Sequence, residues 1–169
     1  MKYYLKKSRV ISFSDINYFE PSYDEELDDI SSISSDIYNI FNDCDIEFYL
    51  FLDNIKLPIN VIAGLGYFID GFEDYFLFLF TEEKEYMYWI PDQGIETNIY
   101  FDKKEDIVII REFIYLNGEF KRNLSVLRKD AIVFLDQLSI YVNELSPNIG
   151  KHPWFVKWEQ ELRTIICPI

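Results

Sequence analysis

Residues 106–126, DIVIIREFIYLNGEFKRNLSV, contain the strongest hairpin signal of the chain. Two stretches rich in β-branched and aromatic residues, 106–115 and 119–126, flank the dipeptide Asn117-Gly118. An Asn-Gly pair readily adopts the positive φ angles that tight hairpin turns need. The segment therefore predicts two antiparallel strands joined at Asn117-Gly118.

Upstream of this hairpin the chain contains more short segments with the composition of β-strands. Asp53-Asn54 suits a tight turn between two of them, and Pro58 suits an edge strand or a bulge. Gly64, Gly66 and Gly71 are expected to break the chain. The predicted strands of this region cover residues 9–13, 46–52, 55–63, 75–80, 86–90 and 97–101.

Three stretches repeat apolar residues at intervals of three and four, which is the spacing of a buried helix face. The first is predicted to begin at Ser22, which forms a capping box with Glu25, and to end near Asp43. The second covers residues 127–145, and the third begins at Pro153. Helices therefore lie toward both ends of the chain, with the strands between them.

This order of elements predicts an α+β fold, an antiparallel β-sheet meander with an N-terminal helix and two C-terminal helices packed on it. A length of 169 residues with 49% hydrophobic content is sufficient for one packed core. We find no internal repeat and no linker, so residues 1–169 are predicted to form a single domain.

The charge of the chain is strongly negative and unevenly distributed. The formal net charge is −14, and residues 10–55 contain twelve carboxylates but neither Lys nor Arg. Acids in the first turn of the predicted N-terminal helix complement its dipole, which explains part of this run. Local ion pairing cannot neutralise the remainder, so we interpret it as a surface that attracts a basic partner.

The same charge disfavours two classes of partner. Nucleic acids are bound largely through Lys and Arg, so direct nucleic-acid binding is not expected, and anionic membranes are disfavoured for the same reason. The longest apolar runs, such as residues 76–80, are much too short to cross a bilayer. The basic N-terminus is not followed by a continuous apolar stretch, so the expected location is the cytoplasm.

No catalytic or metal-binding pattern accompanies the charge. His152 is the only histidine and lies at a helix start, where a capping or surface role is expected. Cys44 and Cys167 are far apart and belong to no CxxC motif, which leaves either a disulfide or two thiols open. Glycines 64 and 66 lack the remaining residues of a phosphate-binding loop. We predict no catalytic residue, no metal and no cofactor.

The aromatic segment 86–90 is a candidate contact surface. Alternation along a strand places Tyr86, Tyr88 and Ile90 on one face, with Met87 and Trp89 on the other. One face is expected to enter the core. An open second face would supply the rigid aromatic anchors that dominate many protein interfaces.

A compact, acidic chain that is rich in Tyr, Phe and Trp and has no catalytic centre resembles the immunity proteins of bacterial polymorphic-toxin and contact-dependent inhibition systems. The resemblance concerns the whole chain and its composition. It implies a protein that binds a cognate toxin, often a basic nuclease, and neutralises it. On this hypothesis acids steer the toxin and aromatic residues anchor it. The predicted partner-binding residues are Asp24, Glu25, Asp28, Asp29 and Asp36 for steering, with Tyr23 and either Tyr88 or Trp89 for anchoring.

Three alternatives belong to other functional classes. A DNA mimic would inhibit a nucleic-acid-binding protein with carboxylates spaced like phosphates. An enzyme would require two close acids with different pKa values in a concave pocket. A structural subunit would use its aromatic surface for self-association.

Overall fold

The computed structural model describes residues 2–7, 30–52, 54–57, 61–92 and 95–166. These residues form seven strands and six helices. In chain order the elements are β1 (Lys2–Lys7), α1 (Ile30–Asp43), β2 (Ile46–Leu52), β3 (Ile55–Lys56), α2 (Val61–Asp70), α3 (Phe72–Phe80), β4 (Glu85–Asp92), β5 (Ile95–Lys104), β6 (Ile107–Glu112), β7 (Gly118–Asn123), α4 (Leu124–Leu145), α5 (Pro147–Lys151) and α6 (Pro153–Ile166).

The predicted α+β class is confirmed, including a helix early in the chain and two long helices at its end. The strands form two antiparallel sheets, one of three strands in the order β1-β2-β3 and one of four strands in the order β4-β5-β6-β7. The sequence analysis assigned no element to β1 and expected one continuous meander. The chain divides into two sheets because helices α2 and α3 separate β3 from β4.

The second sheet is a simple meander whose strands were predicted from the sequence. Its third hairpin, however, has a longer turn than the Asn-Gly signal suggested. Strand β6 already ends at Glu112, which pairs with Gly118 across the ladder, so residues 113–117 form the connection. Asn117 has φ 42°, in the left-handed region that Asn tolerates better than most residues. The Asn-Gly signal located the hairpin correctly, but the predicted two-residue length of its turn was wrong.

The segment between the two sheets was predicted incorrectly. Residues 75–80 and the end of the predicted strand 55–63 are helical, and α2 continues through Gly64 and Gly66. Phe68, Phe72 and Tyr75 recur at helical intervals and are buried. A short apolar run has the composition of a buried strand as well as of a buried helix, so its pattern alone does not distinguish the two.

The terminal helices agree better with the sequence. Helix α1 ends at Asp43 as predicted, whereas its predicted start at Ser22 and the predicted strand 9–13 lie outside the described residues. Helix α4 begins at Leu124, three residues before the predicted start, and α6 begins at Pro153 as predicted. None of the helices that the structure describes is long and apolar enough to cross a membrane.

Aromatic side chains join the two sheets and the helices into one buried cluster. The ring of Phe134 on α4 lies 5.3 Å from Tyr3 of β1 and 5.2 Å from both Phe68 and Phe72, measured between ring centroids. Phe68 in turn lies 5.5 Å from Tyr88 of β4. The inner face of the second sheet is therefore held against the helices, and its opposite face is left for other contacts.

Candidate functional site

Strand β4 has the predicted alternation, with one face buried in the core and the other exposed. Tyr88 and Ile90 are buried, whereas Met87 and Trp89 are 51% and 46% exposed. The Tyr88 hydroxyl donates to the Gly64 carbonyl at 3.4 Å, and burial raises its pKa well above the usual tyrosine value. Tyr88 is thus part of the core. Of the two anchors predicted on β4, Tyr88 and Trp89, only Trp89 is exposed and can contact a partner.

The exposed side chains of β4 continue into an apolar surface on the outer face of the second sheet. Met87 lies directly opposite Tyr100 of β5, and the Tyr100 ring is 6.0 Å from that of Phe113. At the other end, the Trp89 ring is 6.2 Å from that of Tyr67 on α2. All five side chains are exposed. We name this set, Tyr67, Met87, Trp89, Tyr100 and Phe113, the aromatic strip.

A charged triad lies on the outer face beside the aromatic strip. Arg111 of β6 is paired in register with Tyr100 on one side and with Glu119 of β7 on the other. Its guanidinium donates to the Glu119 carboxylate at 3.1 Å and also pairs with Asp102. The hydrogen bonds that Arg111 donates to the Glu119 and Asp102 carboxylates raise its pKa. Two carboxylates against one guanidinium leave the triad with a surplus negative charge.

An acidic groove borders the strip where α3 leads into β4. Its volume is about 360 Å³, and it adjoins a shallower hollow of about 300 Å³. The lining of the groove contains three carboxylates, and no Lys or Arg from the described parts of the chain contributes to it. The lining residues are Asp74, Leu77, Phe78, Glu83, Glu85, Tyr86 and Met87.

The groove keeps its negative charge because its acids are not neutralised by close ion pairs. In the ranges that the structure describes, no Lys or Arg forms an ion pair with Asp74, Glu83 or Glu85. Lys103 interacts electrostatically with Glu82 and Glu83. Its ammonium lies 5.0 Å from the centroid of the Phe78 ring and donates to the Thr81 carbonyl at 2.8 Å, so one cation stands beside three carboxylates. A cationic group of a partner would therefore find several carboxylates still accessible.

The β6–β7 loop, residues 113–117, is organised by one buried carboxylate. Glu112 is fully buried, and its two oxygens accept hydrogen bonds from the backbone N–H groups of Ile114, Tyr115 and Leu116 at 2.6 to 3.0 Å. The Thr97 hydroxyl donates to the same carboxylate at 2.8 Å. Burial alone would raise the Glu112 pKa, but these hydrogen bonds outweigh burial and lower it.

The structure describes three of the eight predicted partner-binding residues, Asp36, Tyr88 and Trp89. Tyr23, Asp24, Glu25, Asp28 and Asp29 lie outside the described residues. Asp36 is on α1 and half-buried, and it is not among the residues of the aromatic strip or the acidic groove. Trp89 is the one predicted residue that the structure brings into the aromatic strip.

Met87 was predicted on the same strand face as Trp89, whereas Tyr67, Tyr100 and Phe113 were not predicted, for different reasons. The alternation along residues 97–101 places Ile99 and Phe101 inward, and both are buried, so it could have identified Tyr100 as outward-facing. Tyr67 could not have been found in this way, because its segment was not predicted to be helical. Phe113 was predicted to lie in the strand 106–115, but β6 ends at Glu112, one residue before Phe113.

His152 and Cys44, which were considered for catalysis or metal binding, are both buried. His152 is buried at the start of α6, and its Nδ1 accepts a hydrogen bond from the Trp154 N–H at 3.2 Å, in agreement with the expected capping role. Cys44 is buried after α1, and Cys167 lies outside the described residues. In the described ranges no three His, Cys, Asp or Glu side chains are grouped so that they could hold a metal ion.

No family model, no curated protein and no solved structure matches this chain. The chemistry of the candidate site is therefore defined by its own side chains. An exposed apolar strip with a negatively charged border can bury hydrophobic area against a second macromolecule and attract cationic groups around the contact.

Proposed function

We propose that this chain is an acidic protein-binding module of the immunity-protein type, which binds a cognate basic toxin and neutralises it. The observation that supports the proposal most is the aromatic strip, with the acidic groove beside Met87 and the charged triad beside Tyr100. Such a protein would act in the cytoplasm of a bacterial cell and would itself carry out no catalysis.

The aromatic strip would supply the binding energy. Exposed aromatic side chains at the centre of an interface lose little conformational entropy and bury a large area when they are covered. Trp89 lies between Tyr67 and Met87 in this strip and is the expected hot spot. Single exposed apolar residues are common on protein surfaces, but a continuous set of them marks an interaction site more often.

The surrounding acids would supply specificity and speed. Asp74, Glu83 and Glu85 line the groove beside Met87, and the triad adds a further negative charge beside Tyr100. A positively charged partner is drawn toward such a border, whereas nucleic acid is repelled by it. Nucleases have cationic surfaces for their own substrates, so a nuclease toxin has the complementary charge.

Replacement of the expected hot spot tests the proposal. The toxin for this test is identified by affinity capture with the wild-type chain from its source organism, and a large secreted protein encoded immediately upstream would be the first candidate. We expect Trp89→Ala to raise the Kd for the toxin by about 30-fold, which corresponds to about 2 kcal/mol. Toxin binding is measured by calorimetry and neutralisation by cell survival.

A matched control separates binding from folding. Ile140 is also a large exposed apolar residue, but it lies on α4, so Ile140→Ala should leave the Kd unchanged. Both variants should keep the wild-type melting temperature. Wild-type affinity for the toxin in the Trp89 variant would contradict the proposal. Competition by duplex DNA for the captured protein would favour a DNA mimic, and self-association in light scattering would favour a structural subunit.

A further inference from the structure

The β6–β7 loop presents two apolar side chains to solvent on a rigid support. We infer that this loop is a preorganised docking element, whose Phe113 and Ile114 side chains enter an apolar recess of the same basic partner. The inference rests on the proposed function and extends its contact surface from the sheet to the loop. Phe113 and Ile114 are 56% and 50% exposed, the former among the highest values of the large apolar residues described.

The conformation of the loop is held from inside the protein. Four consecutive apolar residues follow Glu112, and two of them, Tyr115 and Leu116, are packed against the core. Their backbone N–H groups, together with that of Ile114, are bound by the Glu112 carboxylate. The two remaining side chains are thereby directed outward. A loop that is already ordered loses little conformational entropy when it binds, which favours affinity.

The choice of a basic partner follows from the surroundings of the loop. Phe113 contacts Tyr100, so the loop is continuous with the aromatic strip. The triad of Asp102, Arg111 and Glu119 lies on the same sheet face and retains one surplus negative charge. A recess that accepts Phe113 would therefore be bordered by Lys or Arg. Together with the net charge of −14 of the whole chain, this favours a basic partner over an acidic partner or a second copy of this acidic chain.

Glu112 has the role of a positioning residue in this arrangement. It is fully buried and cannot touch a partner, but it fixes the backbone from which Phe113 and Ile114 project. Replacing the carboxylate by a neutral amide removes the charge and one of the two acceptor oxygens. The loop then loses part of its order, while the aromatic strip on β4 and β5 keeps its support from the sheet.

Site-specific photo-crosslinking in the source organism tests the inference with the full chain. The crosslinker p-benzoylphenylalanine is placed at Phe113, at Trp89 or, as the control, at Ile140, and the adducts are identified by mass spectrometry. We expect positions 113 and 89 to form an adduct with the same basic protein, and position 140 to form none with it.

The outcomes distinguish the inference from the proposed function. An adduct at position 89 without one at 113 would overturn the docking role of the loop and leave the proposed function standing. No adduct at either position, or an acidic protein at both, would overturn both. Equal adducts at 113 and 140 would show nonspecific exposure and overturn the inference.

A second variant tests the positioning role of Glu112. In Glu112→Gln we expect the adduct yield at position 113 to fall by about tenfold, with the yield at position 89 unchanged. Hydrogen exchange at the amides of Ile114, Tyr115 and Leu116 should become faster in the same variant. A purely structural role would lower both yields together, and an unchanged yield at 113 would contradict the positioning role.

Discussion

At the scale of single residues, Glu112 shows how hydrogen bonds can retain a buried charge. The alternation of Val108 and Ile110 places Glu112 on the core face of β6, where an unpaired carboxylate would be strongly disfavoured. Backbone N–H groups and the Thr97 hydroxyl replace the water that it loses. Charge-assisted hydrogen bonds of this kind are stronger than neutral ones, and they organise the loop at the same time.

The lowered pKa of Glu112 gives a prediction about acid stability. Its contribution to the free energy of unfolding is fully present above the unfolded-state pKa, about 4.3, and is lost as the pH falls through the lower folded-state value. Glu112→Gln should be less stable than the wild type at pH 7 and should have a shallower decline below about pH 4.3. Urea unfolding across pH 3 to 7 measures both.

The control for this effect is an exposed glutamate. Glu144 lies on the solvent side of α4, so Glu144→Gln should follow the wild-type pH dependence. If Glu112→Gln also followed that curve, the Glu112 pKa would be the same in the folded and unfolded states, and the account of the loop would be wrong.

At the scale of elements, helices α2 and α3 contrast with α4. Helix α3 has no side-chain hydrogen bond at its N-cap, Gly71, and consists mostly of apolar residues that pack into the core. Helix α4 starts at Asn123, whose side chain accepts the Ser125 N–H at 2.8 Å. Helix α3 therefore depends on tertiary packing, whereas helix α4 also has a local start signal.

The cap of α4 can be tested directly. Asn123→Ala removes the acceptor for the Ser125 N–H and should lower the free energy of unfolding by about 1 kcal/mol. Asn123→Asp keeps an acceptor at the same place and should remain near the wild-type stability. Thermal and urea unfolding measure the difference. Equal losses in both variants would show that the cap contributes less than the change of residue itself.

At the scale of the whole molecule, charge is the dominant property. The formal net charge of −14 repels copies of this chain from one another and attracts cationic macromolecules over distances longer than any single contact. Such long-range attraction affects the rate of association more than the lifetime of the complex. The aromatic strip would then determine the lifetime.

Neutralising the acidic groove tests this division of roles. The triple variant Asp74→Asn, Glu83→Gln, Glu85→Gln should associate with the basic partner about tenfold more slowly at low salt, with a weaker salt dependence and a nearly unchanged dissociation rate. Stopped-flow or surface-based kinetics at several salt concentrations measure these quantities.

A control with the same change in net charge shows whether position matters. Asp43, Glu144 and Glu161 are exposed on three other helices, and their neutralisation should slow association less. Equal effects of the two triple variants would assign steering to total charge rather than to the groove. Neutralising Asp24, Glu25 and Asp28 in the same way tests the acidic run that was predicted from the sequence.

The elements that have strong local sequence patterns could be predicted from the sequence. The strands of the second sheet follow from alternation and the Asn117-Gly118 signal, and the end of α1 and the start of α6 follow from helical periodicity and Pro153. These signals act over a few residues, through backbone sterics and the side-chain period of each element. The α+β class follows from their order along the chain.

Three features depend on contacts between distant parts of the chain. They are the helical conformation of residues 61–80, the choice of the buried face of β4, and the conformation of the loop after Glu112. The apolar run at 75–80 suits a strand or a helix equally, and the contacts of Tyr75 and Phe78 with Phe101 of the second sheet select the helix. Trp89 is exposed and Tyr88 is buried because the helices cover only one face of the sheet. Burial is a sum over contacts between distant residues, and a local pattern does not contain that sum.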